Sequence, residues 1–217
     1  MDHPTLPEPR KLSPGWLFWL KWVAASLAGL LLGFGILYGL IFLGKAVLPD
    51  FNEDRFFGWL MFPFLATLLG AAQWLVLRQR IPRSGWWILA TAAGLNAGIA
   101  LAQGAGQLLS RGTNQPWVWD SQPKILLLYI FIGLLLGLAQ LPILWRHIRG
   151  RVRWLLASLL GWLALGLVLG KSIDRMSDIF AFGAIPAAFT GFELPWLLRT
   201  PPGQKNTVEG KPRELVP

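Results

Sequence analysis

Residues 22–43 read WVAASLAGLLLGFGILYGLIFL, 22 positions without a charge. As a helix rising 1.5 Å per residue, that run spans roughly 30 Å, the thickness of a bilayer's hydrocarbon core. Five further apolar runs follow, at 56–77, 86–109, 125–144, 154–170 and 179–198. The fifth run is the shortest, and the sixth carries one acid, Glu193. Only 14% of the chain is charged and 54% is hydrophobic, which leaves too little polar sequence to clothe six such helices in water. The expected fold class is an all-α membrane protein with six transmembrane helices. The first run is too long for a secretory signal and no small-residue cleavage site follows it, so a retained first helix is expected.

Charge sorts the loops. The net charge is +9. One side of a six-span chain comprises the N-terminal segment, the loops after the second and fourth helices, and the C-terminal tail. Fourteen of the 20 Lys and Arg residues fall there, among them Arg78, Arg80, Arg83, Arg146, Arg149, Arg151 and Arg153. The other side holds Lys45, Arg55, Arg111, Lys124, Lys171 and Arg175, together with most of the acids. Basic loops stay in the cytoplasm, so this positive-inside pattern places both termini there, in the cell (inner) membrane of a bacterial cell. The excess charge then marks orientation and attraction to anionic headgroups of the lipid bilayer, and no nucleic acid is expected as a partner.

Two motifs recur. Trp22–Gly29 (WVAASLAG), Trp87–Gly94 (WILATAAG) and Trp154–Gly161 (WLLASLLG) share W-x-x-A-[ST]-x-x-G at spacings of 65 and 67 residues. Gly70–Arg78 (GAAQWLVLR), Gly137–Trp145 (GLAQLPILW) and Gly191–Arg199 (GFELPWLLR) align on their glycines. The internal repeat is therefore a helical hairpin, present three times: 16–78, 81–145 and 148–199. Each unit has two helices, so all three run the same way, as parallel repeats about an axis along the membrane normal. Tails at 1–15 and 200–217, the latter disordered, complete the expected organisation of the chain.

Each repeated residue type suits packing or anchoring. Tryptophan at a helix start straddles headgroup and acyl chain, so Trp22, Trp87 and Trp154 are expected at the interface. Small residues four apart, such as Gly29 with Gly33 and Gly94 with Gly98, let helix backbones approach. Ser26, Thr91 and Ser158 suit bonds to a carbonyl one turn back or to a facing helix. The GxxQWxxLR and WxxA[ST]xxG pattern resembles an uncharacterised bacterial multi-pass membrane protein family. The resemblance covers most of residues 16–199 and is strongest at Gly70, Gln73, Trp74, Leu77 and Arg78. It implies the architecture and no activity.

Polar groups within the spans are the candidate site, because each is costly in hydrocarbon. Asn96, Gln103 and Gln107 are spaced 7 and 4 apart, so they form one stripe on the third helix. They would either line an outward-opening path, with Tyr38 nearby, or form amide bonds between helices. Gln73 and Gln140 are equivalent, three residues after the repeated glycine, and Glu193 follows two after Gly191. Glu193 would either pair with a loop arginine or serve as a protonatable, cation-binding group. The stretch 113–124, with Trp117 and Trp119, reads as an outer interfacial loop.

Catalytic motifs are lacking. There is no cysteine, and the two histidines, His3 and His147, lie outside the apolar runs. No HExxH, phosphate loop or paired intramembrane acids occur, so no enzyme, metal or cofactor is expected. The expected function is structural or accessory, exercised through helix–helix contacts with a membrane protein partner or a second copy. The alternative is a small-solute transporter or membrane substrate-binding component with its polar path on the third helix.

Overall fold

The computed structural model describes residues 15–48, 51–52, 56, 60–81, 83–111, 121–145, 147, 150–169 and 176–197. Six helices follow in order: α1 (Gly15–Val47), α2 (Phe62–Leu77), α3 (Trp86–Ser110), α4 (Gln122–Leu144), α5 (Arg151–Leu169) and α6 (Met176–Leu197). There is no strand among the described residues. The expected tails, the loop residues 113–120 and the flanking charges Glu53, Arg55, Arg146, Arg149, Lys171, Arg175 and Arg199 lie outside the described residues.

Four of the helices, α1, α3, α4 and α5, are long and apolar enough to cross a membrane, where six were expected. Among the described residues α2 has 16 residues, about 24 Å of helix, short of the roughly 30 Å required. Its start is set by Pro63 in the first turn, where a missing N–H costs nothing. The sixth helix carries Asp178, Glu193, Pro186 and Pro195, which dilute its apolar character.

Each helix packs against its chain neighbours, and α6 packs back onto α1, which closes a ring. Neighbours run antiparallel. A Cβ on Gly94 would meet Leu136 and Ala139 of α4, and one on Gly98 would meet Ile132, so the contacts descend α4 as they ascend α3. Likewise Gly183 of α6 faces Leu27 and Leu30 of α1, whereas Gly191 faces Trp22 and Trp19.

Six polar side chains of the helices face the inside of the bundle. Ser26, Gln73, Thr91, Gln140, Ser158 and Thr190 are all buried, while Phe42, Leu43, Val168, Leu167 and Phe192 are exposed on its outside. This inverts the arrangement expected in water and is compatible with a membrane protein. Apolar packing is layered along the helices. Phe18, Trp22, Trp87, Trp154 and Leu194 form one cluster. Ala66, Leu95, Tyr129, Ile132, Trp162 and Leu165 form a second. In the latter, Trp162 stacks near Tyr129 and meets Phe182 edge-on, with ring centres 6.1 and 5.1 Å away.

The backbones of α3 and α4 approach closely. A Cβ on Gly98 would stand 2.6 Å from Ile132 Cα and 2.9 Å from its nitrogen, both backbone atoms. Gly35 and Gly104, by contrast, have open space where a Cβ would go. We therefore expect Gly98→Ala to lower stability by about 1–3 kcal/mol through overpacking. Gly35→Ala and Gly104→Ala should be neutral or slightly stabilising, because alanine favours the helix. Thermal unfolding in detergent, compared across the three variants, measures the difference.

Candidate functional site: a buried tryptophan and amide cluster

The three repeated tryptophans are not at an interface. Trp22 is 1% exposed, and Trp87 and Trp154 are 0% exposed. They meet edge-on: Trp22 with Trp87 at 5.7 Å between ring centres, and Trp87 with Trp154 at 5.9 Å. The expectation of headgroup anchoring is corrected here. Among the described residues the exposed tryptophans at this end are instead Trp16, Trp86 and Trp145. The adjacent Trp86 and Trp87 point opposite ways, 71% against 0% exposed. Arginines cover the outer rings, with Arg78 5.1 Å from the Trp74 ring centre and Arg151 3.3 Å from that of Trp145.

Polar side chains join the buried tryptophans in a network. Gln73 of α2 donates through Nε2 to Ser26 Oγ of α1 at 3.1 Å, and Ser26 donates to the Trp22 carbonyl at 2.9 Å. Gln73 Oε1 accepts from Trp87 Nε1 of α3 at 3.1 Å. Gln140 of α4 donates to Thr91 Oγ1 of α3 at 3.0 Å. Ser158 of α5 donates to the Gly133 carbonyl of α4 at 2.8 Å. Trp22 Nε1 donates to Thr190 Oγ1 of α6 at 3.2 Å. The last neighbouring pair, α5 with α6, is joined by the ion pair Arg153–Glu193 at 2.9 Å. Every neighbouring pair of helices in the ring thus has at least one polar link.

The contacts also correct the expected alignment of the third unit. Gly29 faces Ala72, Gly94 faces Ala139 and Gly161 faces Phe189. The next residues along the even helices are Gln73, Gln140 and Thr190. Thr190, not Glu193, therefore occupies the glutamine position. Aligning Gly191 with Gly70 and Gly137 displaces the unit by about one helical turn. The hydrogen bonds agree, since Trp22 donates to Thr190 as Trp87 donates to Gln73.

A threonine has less reach than a glutamine. Thr190 turns its hydroxyl proton back to the Pro186 carbonyl at 2.8 Å. A void of about 20 Å³ remains beside it, lined by Gln73, Gln140, Ser158, Thr190, Trp22 and Trp154 among others. Trp154 Nε1, the third indole donor, finds no acceptor among the described residues. The space is about that of one water molecule.

The remaining candidates separate from this cluster. Asn96 is half-buried and bonds the Ala92 carbonyl one turn back at 2.7 Å. Gln103 and Gln107 are exposed on the outside of the bundle. Tyr38 borders an apolar pocket of about 200 Å³ with Leu30, Phe34, Leu65 and Phe182, and none of the three amides of the α3 stripe lines it. Glu193 lies at the rim, with Arg153. Missed by sequence reasoning were Thr190 and the inward orientation of the tryptophans. A signal for the latter was present: Ser/Thr and Gly stand four and seven residues after each Trp, on one helix face. No group of three or more metal-binding side chains occurs among the described residues.

The network makes two similar substitutions unequal. Trp87→Phe leaves the Gln73 oxygen without its donor, whereas Trp154→Phe removes a donor that has no acceptor. We expect Trp87→Phe to cost more by roughly 1 kcal/mol, read as the difference in unfolding midpoint in detergent. Comparison with family models, with curated proteins and with solved structures gave no match for this chain.

Proposed function

We propose that this chain is a structural or accessory protein of the inner membrane that acts through helix–helix contacts. It crosses six times as three pseudo-repeated parallel hairpins, with both termini cytoplasmic, and has the architecture of the multi-pass family its motifs resemble. The observation that carries the functional reading is the use of the intramembrane amides. Gln73 and Gln140 bond to neighbouring helices, and Asn96 to its own. These three amides are thus used for assembly, and among the described residues they are not joined into a polar path for a solute. The exposed Gln103 and Gln107, and the apolar outer face of α1 with Phe42 and Leu43, are surfaces for contact with another membrane protein.

The six crossings are supported by packing. Both α2 and α6 lie antiparallel between helices that are long enough to span. Orientation is supported by the gathering of Arg78, Arg80, Arg83, Arg151 and Arg153 at one end of the bundle.

Purification in mild detergent, with mass spectrometry of bound proteins and small molecules, tests the role. The expected result is a stoichiometric membrane protein partner and no solute; a bound solute without a protein partner overturns the reading. A reporter fused after Pro217 should be cytoplasmic. Its appearance on the outer side would refute the six-span topology.

A further inference from the structure

Two apolar grooves open on the outside of the bundle near its basic end. One, about 570 Å³, lies between α5 and α6; Leu156, Leu160, Phe189 and Phe192 line it, with Arg153 and Glu193. The other, about 550 Å³, lies between α3 and α4; Leu89, Ala93, Ala139 and Pro142 line it, with Arg83 and His147. The two are related by the same register that equates Gln140 with Thr190. Leu89 corresponds to Leu156, Ala93 to Leu160, Ala139 to Phe189 and Pro142 to Phe192. An apolar furrow at equivalent positions thus occurs on two hairpins, and each is bordered by a guanidinium, although Arg83 and Arg153 come from different places in the repeat.

We propose that each groove seats one glycerophospholipid, its phosphate against the arginine and an acyl chain along the apolar wall. The inference rests on the membrane reading above. The occupant is chosen by the distribution of charge. Ionic groups lie at the end nearest the basic loops, and from Arg153 to Leu160 the groove runs about 10 Å deeper along α5. An amphiphile with one charged end matches that layout. A guanidinium carries five donors in a planar fork suited to phosphate, so pairing with Glu193 through Nη2 leaves Arg153 donors for a second anion. Basic pockets between transmembrane helices on the cytoplasmic side hold lipid headgroups for this reason.

The test is native mass spectrometry of the delipidated full chain titrated with phosphatidylglycerol, phosphatidylethanolamine or diacylglycerol. Two phospholipids should bind per chain, and diacylglycerol should bind neither groove. Arg153→Gln and Arg83→Asn should each weaken one site roughly fivefold or more; asparagine is chosen because residue 83 has φ 61°. Ala93→Trp, at an exposed position, keeps every charge and should block the second site alone. Equal binding of diacylglycerol, an unchanged count in the double arginine variant, or a second copy of the chain in place of lipid would overturn the proposal. Alkaline extraction separates the two readings. A chain that stays in the membrane fraction yet binds no phospholipid contradicts the grooves alone, whereas a chain released by alkali contradicts the membrane reading itself.

Discussion

The hydrogen-bonded path from Trp87 through Gln73 and Ser26 to the Trp22 carbonyl is the interaction on which the rest of the bundle depends. It joins α1, α2 and α3 through one amide. Apolar attraction cannot choose among helix arrangements when the surroundings are as apolar as the side chains. Directional bonds can. Each is worth only about 0.6–2 kcal/mol, but each also specifies rotation and depth for two helices at once. Rotating α2 by half a turn would remove Gln73 from both Ser26 and Trp87. The three edge-to-face indoles then fill the space that the bonds define, and Arg153–Glu193 joins the last neighbouring pair at the rim.

Close backbone approach makes those short bonds reachable. Gly94 and Gly98 admit the backbone of α4 at Leu136 and Ile132, and Gly29 admits Leu68 and Ala72 of α2. With larger residues at these positions the helix axes would separate, and a glutamine side chain would no longer span the gap between helices. Small residues and amides thus act together, the former setting distance and the latter rotation. A void of about 20 Å³ lies beside Thr190, which stands where the other two hairpins have glutamine.

Much of this was legible in the chain. Uncharged runs announce the helices, and W-x-x-A-[ST]-x-x-G announces the recurring hairpin start. Orientation of the tryptophans was not legible from residue type, because indole suits both a wet interface and a buried hydrogen bond. Adjacent Trp86 and Trp87 make the point, since one faces out and the other in. The third unit misled for a different reason. Its Gly191 mimics Gly70 and Gly137 in sequence, but helix contacts select Ala187 for that place, and a four-residue shift keeps nearly the same helix face. Asn96, Gln103 and Gln107 do share a stripe. Periodicity alone does not say whether a stripe faces a cavity, a neighbouring helix or the outside.

Closure of the ring between the first and last helices is the claim that most directly separates this architecture from an open row of hairpins. Leu27 and Gly183 face each other across α1 and α6, and the chain contains no cysteine of its own. A Leu27→Cys, Gly183→Cys double variant, oxidised in native membranes, should form an intrachain disulfide, seen as a mobility shift on denaturing gels and reversed by reductant. Failure to cross-link, while a Gly137→Cys, Ser158→Cys control between α4 and α5 does so, would contradict the closed ring.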